Sequence, residues 1–195
     1  MMSNKPKTRN LIFTALLAAF MAILGPLSIP LPGGVPLSLL TFALFLSAYL
    51  LGWRLGTLAV VVYLLLGFFG VPVFSGFTAG AGKLLGPTGG YLIGYIPAAL
   101  IAGKLCATRR KFVPALISML IGSTACLALG TIWFMFVTHT ALIPALVVCV
   151  VPFIPGDIAK MAAAAAVGKI LDDRLTRSGL SIQKFEAGEN PKRRS

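Results

Sequence analysis

Six long apolar runs follow one another along this chain, at 11–24, 37–51, 55–69, 91–107, 112–137 and 155–174. Most of the charge lies between them or after the last. Only 22 of the 195 residues are charged, 17 basic and 5 acidic, and 57% are hydrophobic. A soluble domain carries about 25% charged residues. This chain cannot cover a water-facing surface, so an ordinary soluble enzyme is excluded. Disorder needs the opposite composition and is excluded too. What remains is an integral membrane protein.

None of the runs alternates with period two, which argues against a β-barrel. Backbone groups in lipid are then satisfied within helices. About 20 residues at 1.5 Å rise cross the hydrocarbon core. The runs of 14 or 15 residues are expected to extend into flanking residues or to sit where the bilayer thins. The expected fold class is all-α, with six transmembrane helices. Residues 1–10 form a basic N-terminal segment, 11–174 the membrane domain, and 175–195 a polar tail expected to be disordered. The first run resembles the core of a secretory signal, but no small-residue cleavage site with a polar continuation follows it, so it reads as a retained helix. Residues 141–153, broken at Pro144, reach only about 20 Å and read as a short outer helix or re-entrant cover.

Charge placement orients the chain. With six spans and both termini cytoplasmic, 15 of the 17 basic residues fall inside, leaving Lys83 outside and Lys160 within a span. This is the bias expected of cytoplasmic loops. A seventh span would put the six basic residues from Arg174 onward outside. The net charge of +12 therefore reads as topology and attraction to anionic lipid, and no nucleic-acid partner is expected.

Inner turns are short, at Gly52-Trp53-Arg54 and at 108–111, whereas the outer connections 25–36 and 70–90 are long and rich in Gly and Pro. Long apolar Gly-rich loops read as a closable cover over an outward-facing cavity.

An ionisable residue inside a membrane costs about 2.5–3.5 kcal/mol on insertion scales and marks a functional site by default. Residues 152–160, P-F-I-P-G-D-I-A-K, carry two, Asp157 and Lys160. With Pro155 opening the helix, Asp157 is expected in its first turn, near the positive dipole end. Lys160 follows at i+3, on the same face. Together they offer an acceptor and a donor to a polar ligand; the other reading is a structural ion pair. Lys83, the lone outer charge, reads as an anion contact or a solvated residue. Thr88 and Tyr91 belong to G-P-T-G-G-Y at 86–91, where a Gly pair opens a helix with free N–H groups. Phe74, Phe77, Tyr91, Tyr95 and Trp133 either line an apolar pocket or sit in the interfacial belt. His139 stands alone, and Cys106, Cys126 and Cys149 show no metal-ligand spacing, so no metal site is expected.

Catalytic motifs are missing, including the phosphate-binding G-x-x-x-x-G-K-[ST], H-E-x-x-H and G-x-S-x-G. The chain is expected not to be an enzyme, to hold no cofactor and to draw energy from a partner or an ion gradient. Ala15, Ala18, Ala19 and Ala22 form two overlapping small-x-x-x-small patterns that let another helix approach closely, within the chain or from another subunit.

G-V-P-V-F at 70–74, G-P-T-G-G-Y-L-I-G-Y at 86–95 and P-F-I-P-G-D-I-A-K at 152–160 resemble the prokaryotic BioY family, over about residues 9–175. Members are biotin-specific S components of energy-coupling-factor transporters. The resemblance implies an S-component fold in the plasma membrane that captures biotin outside. It implies docking on a transmembrane coupling subunit with two ABC-type ATPases, which alone use ATP. It maps Asp157 and Lys160 onto the ureido end of biotin, and Ala15, Ala18, Ala19 and Ala22 onto the coupling-subunit contact. Lys83 as a carboxylate contact is an inference outside the family motifs. A self-sufficient secondary transporter is the competing class, but no internal repeat supports it.

Overall fold

The computed structural model describes residues 5–30, 35–106 and 112–178. Helix α1 spans Lys5–Leu24 and is followed by two short strands, β1 (Ser28–Ile29) and β2 (Leu37–Ser38). The strands pair antiparallel, Ser28 opposite Ser38 and Ile29 opposite Leu37. Helix α2 (Leu40–Phe68) comes next, then α3 (Ala81–Leu85), α4 (Gly89–Cys106), α5 (Phe112–Thr138), α6 (Leu142–Cys149) and α7 (Phe153–Arg177).

Helix α2 is a hairpin. Gly52 adopts φ +77°, ψ −171°, outside the helical region and accessible mainly to glycine. Gly56 packs against the backbone of Ala48 and Ser47 at 3.1 and 3.2 Å, measured from where its Cβ would stand. Residues eight apart on a straight helix are separated by about 12 Å. The chain therefore folds back at Gly52, the turn expected from Gly52-Trp53-Arg54. The Arg54 guanidinium caps it, 4.8 Å from the centre of the Trp53 ring.

Proline stands third in each of α5, α6 and α7, as Pro114, Pro144 and Pro155. The first four N–H groups of a helix have no intrahelical acceptor, so proline costs no hydrogen bond there. Two expectations are corrected. Pro144 does not break the 141–153 segment but sits inside the first turn of α6. Helix α7 begins two residues before Pro155, so Asp157 is fifth in the helix, past the first turn, and the dipole argument for it weakens. The axes of α6 and α7 meet at 41°, so a short helix joins the last long helix at a bend.

Hydroxyls within the apolar helices bond back to the preceding turn: Thr14 to Asn10, Ser118 to Pro114 and Thr124 to Leu120, each at 2.8 Å. That leaves them without an unmet polar group in hydrocarbon. Helices α2, α4 and α5 build the centre, with α1 and α7 packed on α2. Tyr49, Tyr63, Phe45, Phe74 and Met119 are among the largest fully buried side chains. Among the described residues, α4 and α5 are each long and apolar enough to cross a membrane, the bent α6–α7 pair makes a further such unit, and α2 reaches that length only as the sum of its two arms. Helix α1 starts at Lys5, so its helical structure reaches six residues into the basic segment 1–10. Helix α7 runs to Arg177, three residues into the expected tail 175–195; the tail from 179 onward lies outside the described residues, as does the basic cluster Arg109, Arg110 and Lys111.

Candidate functional site

A cavity lies where β2, the ends of the α2 hairpin, α4, α5 and α7 converge. About 740 Å³ between its walls is free of protein atoms, part of it open to solvent.

One end is polar. Helix α7 contributes Asp157 and Lys160, side chains 8% and 11% exposed, with Nζ 3.0 Å from Oδ1. The same ammonium donates to the Ser38 carbonyl at 2.8 Å and to Thr41 Oγ1 at 3.1 Å. Ser123 of α5 donates to Asp157 Oδ2 at 3.4 Å. A charge pair in hydrocarbon is tolerable when its remaining donors and acceptors find partners, and here they come from three separate elements.

The other walls are aromatic: Phe45, Tyr63, Tyr91, Tyr95 and Phe153. Tyr91 stacks on Phe153, ring centres 6.4 Å apart and 16° from parallel. Its hydroxyl lies 3.5 Å from Thr131 Oγ1 and donates to the Cys149 carbonyl at 3.4 Å, which joins α4 to α5 and α6. The connections after α1, after the α2 hairpin and before α4 are tied to the helices at one end of the bundle. Gly76 N–H donates to the Pro26 carbonyl at 3.1 Å, Tyr63 Oη to the Val73 carbonyl at 3.0 Å, and Trp133 Nε1 to the Gly86 carbonyl at 3.0 Å. Val35, Pro36, Ser75 and Thr88 from these connections line the cavity.

Four of the six residues expected at the ligand are thus brought together: Asp157, Lys160, Thr88 and Tyr91. The other two are not. Phe74 is fully buried and packs edge-on against Tyr63, ring centres 5.8 Å apart. Its ring fills the space left by the missing Cβ of Gly67, so it packs the 70–80 connection onto α2 and does not line the cavity. Lys83 sits in α3, outside the cavity lining, where burial lowers its pKa below the usual lysine range.

The alanine face of α1 divides as well. Ala18 is 2% exposed and Ala22 packs against the core, whereas Ala15 and Ala19 point outward beside the exposed Leu11, Leu16 and Ile23. Ala18 is therefore an internal packing position and Ala22 a half-buried one, while Ala15 and Ala19 are open.

Ser38, Thr41, Ser123 and Tyr63 line the site without a sequence signal. Serine and threonine are common in apolar runs, where those in helices mostly bond to their own backbone, and nothing in the spacing of Ser38, Thr41 and Ser123 distinguishes them from Ser118 or Thr124.

A helical membrane fold with a covered, mixed polar and aromatic cavity defines a membrane-embedded protein that binds a small solute. The family model described as "BioY family" matches residues 2–177, and the chain belongs to that family. It is 42% identical over 159 residues to a protein named biotin transporter BioY from Thermotoga maritima, covering 82% of this chain and 93% of that one. It is 41% identical over 155 residues to biotin transporter BioY2 of Lactococcus lactis, covering 79% and 85%. A crystal structure of the S component for biotin from an ECF-type ABC transporter superposes with a TM-score of 0.81 at 31% identity, covering 88% of this chain and 94% of that one. A second S component, at 20% identity and a TM-score of 0.58, shares the fold. The chain is a multi-pass prokaryotic membrane protein of the S-component fold.

Proposed function

We propose that this chain is the biotin-capturing subunit of an ECF-type uptake system in the plasma membrane. The observation that carries this reading is the division of the cavity: a buried carboxylate and ammonium at one end, aromatic walls elsewhere. Biotin divides in the same way. Its ureido ring brings two N–H donors and a carbonyl, its thioether ring and aliphatic chain are apolar, and one carboxylate ends the chain. The ureido end faces Asp157, the rings lie among Phe45, Tyr91, Tyr95 and Phe153, and the carboxylate points toward the cover. Six crossings are counted as α1, the two arms of α2, α4, α5 and the α6–α7 pair, with both termini in the cytoplasm.

No step of covalent chemistry is asked of this chain. It binds, excludes water and presents the loaded cavity. Energy comes from ATP hydrolysed by two ABC-type ATPases, passed on through a transmembrane coupling subunit. Ala15 and Ala19 on the outward face of α1 are the close-approach positions for that subunit. The purified subunit is expected to bind one biotin per chain by equilibrium titration, and uptake into proteoliposomes is expected to require the coupling subunit and ATPases. Uptake driven by an ion gradient without them would replace this reading with a self-sufficient transporter.

A further inference from the structure

We propose that the groove between α5 and the bent α6–α7 pair is a binding site for an acyl chain of a membrane lipid. About 1100 Å³ between its walls is free of protein atoms, part of it open to the surroundings. The groove backs onto the solute cavity, and Ser123, Leu127 and Asp157 stand in the wall that the two share. The sequence accounts for the gap. Helix α5 is drawn against α4 at Gly122 and Gly130, whose missing Cβ atoms leave room for the Ala98 carbonyl and the Tyr91 ring. Its other neighbours are α6 and α7. Pro152 and Pro155 have no N–H with which to carry the ladder of α6 on into α7, and the two helices meet at 41°. One long helix beside a bent pair leaves a wedge unfilled.

The wall asks for an apolar occupant. Leu120 and Ile132 of α5, Leu142 and Leu146 of α6, and Ile154 and Ile158 of α7 form its rim, each 41–64% exposed. The polar side chains of the lining are engaged within the chain. Thr124 donates to the Leu120 carbonyl at 2.8 Å, Ser123 donates to Asp157 Oδ2 at 3.4 Å, and Thr131 Oγ1 lies 3.5 Å from the Tyr91 hydroxyl.

Size and surroundings name the occupant. The α5 wall from Leu120 to Met135 is about 22 Å long. Over that length the free volume has a mean cross-section of about 50 Å², roughly half of what a helix with its side chains fills. A hydrocarbon chain is thinner, and one leaflet of it is about 15 Å deep. The groove also has a polar end. Met135 and Leu142, in its lining, flank the turn Thr138-His139-Thr140, where His139 is exposed and the two threonine hydroxyls lie 2.7 Å apart. A phospholipid is divided in the same way, apolar along its chains and polar at one end. Left empty, such a slot forfeits dispersion contacts along its lining, and in a bilayer lipid chains are the molecules at hand to restore them.

The test uses the full chain in a mild detergent, mixed with dioleoyl-phosphatidylglycerol or dioleoyl-phosphatidylcholine and followed by native mass spectrometry at rising collision energy. The parent should keep one lipid per chain at energies that strip the detergent, and should keep the two lipids within about twofold of each other, because the groove reads the chain and not the headgroup. Ala128 lies in the lining and is exposed. Ala128→Trp should fill the groove and cut retention about tenfold, the loss expected when bulk takes up a packed contact. Ile121, also on α5 and 47% exposed, is outside the lining, so Ile121→Trp should retain lipid within about twofold of the parent. Thermal melting shows whether each variant is folded; if Ala128→Trp is not, Thr124→Phe, also in the lining, takes its place with the same expected loss. Equal retention in the parent, the folded groove variant and the control would overturn the proposal, as would a parent that holds no lipid. Retention of phosphatidylglycerol without phosphatidylcholine would overturn it too, assigning the adduct to the basic surface. Parent chains that pair, and separate in Ala128→Trp with no lipid lost, would give the groove to a second copy instead. The acyl-chain site does not rest on the biotin reading: a parent that retains lipid as expected but binds no biotin would remove that reading and leave the site standing.

Discussion

Helices α1 and α7 flank the α2 hairpin, and they use it in opposite ways. α7 turns Asp157 and Lys160 toward it and into the cavity, and exposes Ile154 and Ile158. α1 buries Leu17, Ala18 and Met21 against it and turns Ala15 and Ala19 away. The inward commitment of α7 builds a ligand site, whereas the outward small residues of α1 leave room for another helix. The difference teaches where a residue type carries direction. A charge within an apolar run has few places to go. An alanine is at home on either side, and only the packing of its neighbours decides.

Ala18→Leu tests the buried side of α1 and should have the largest effect of the three substitutions considered first. Adding three carbons to a fully packed position costs about 1–3 kcal/mol. The thermal midpoint in detergent should fall, and uptake should fall with it because less protein folds. Ala19→Leu, one residue on, tests the outward side. Thermal stability and biotin affinity should stay within about twofold of wild type, while uptake through the assembled complex drops about tenfold, the size of effect expected when a bulky group separates closely packed helices. Equal losses of binding and uptake in Ala19→Leu would place that face inside the subunit and erase the contrast between the two helices. The smallest effect is expected at Lys83. As it lies outside the cavity lining, Lys83→Ala should change biotin affinity by less than about twofold, the scale of a charge that makes no direct contact with the solute. A loss of tenfold or more would return Lys83 to the site.

These same residues show how far the sequence could be read. The helical membrane class follows from the apolar runs, and the hairpin at Gly52 is announced by a glycine beside Trp53-Arg54 between two such runs. Asp157 and Lys160 stood out because charge is rare in hydrocarbon. Phe74 is not placed by the sequence, because an aromatic residue in a long apolar loop fits a pocket, a belt or a core equally well, and the absent side chain of Gly67 is what receives it. Lys83 stood out as the one charge of a long loop, yet α3 holds it away from the cavity. Ser123, Thr41 and Ser38 are three of the five residues of the polar end and carry no periodic or spacing signal, since their importance lies in which carboxylate or ammonium the fold brings to them.

The most direct test is an equilibrium titration of purified wild type and Asp157→Asn with biotin, alongside thermal melting without ligand. Asparagine keeps the shape and removes the charged acceptor, while Lys160 retains Ser38 and Thr41 as partners. The variant should melt cooperatively and bind biotin about 30–100-fold more weakly, the cost of losing charged hydrogen bonds to the ligand. A folded Asp157→Asn chain that binds biotin as tightly as wild type would show that the carboxylate only packs α7, and that the solute is held elsewhere.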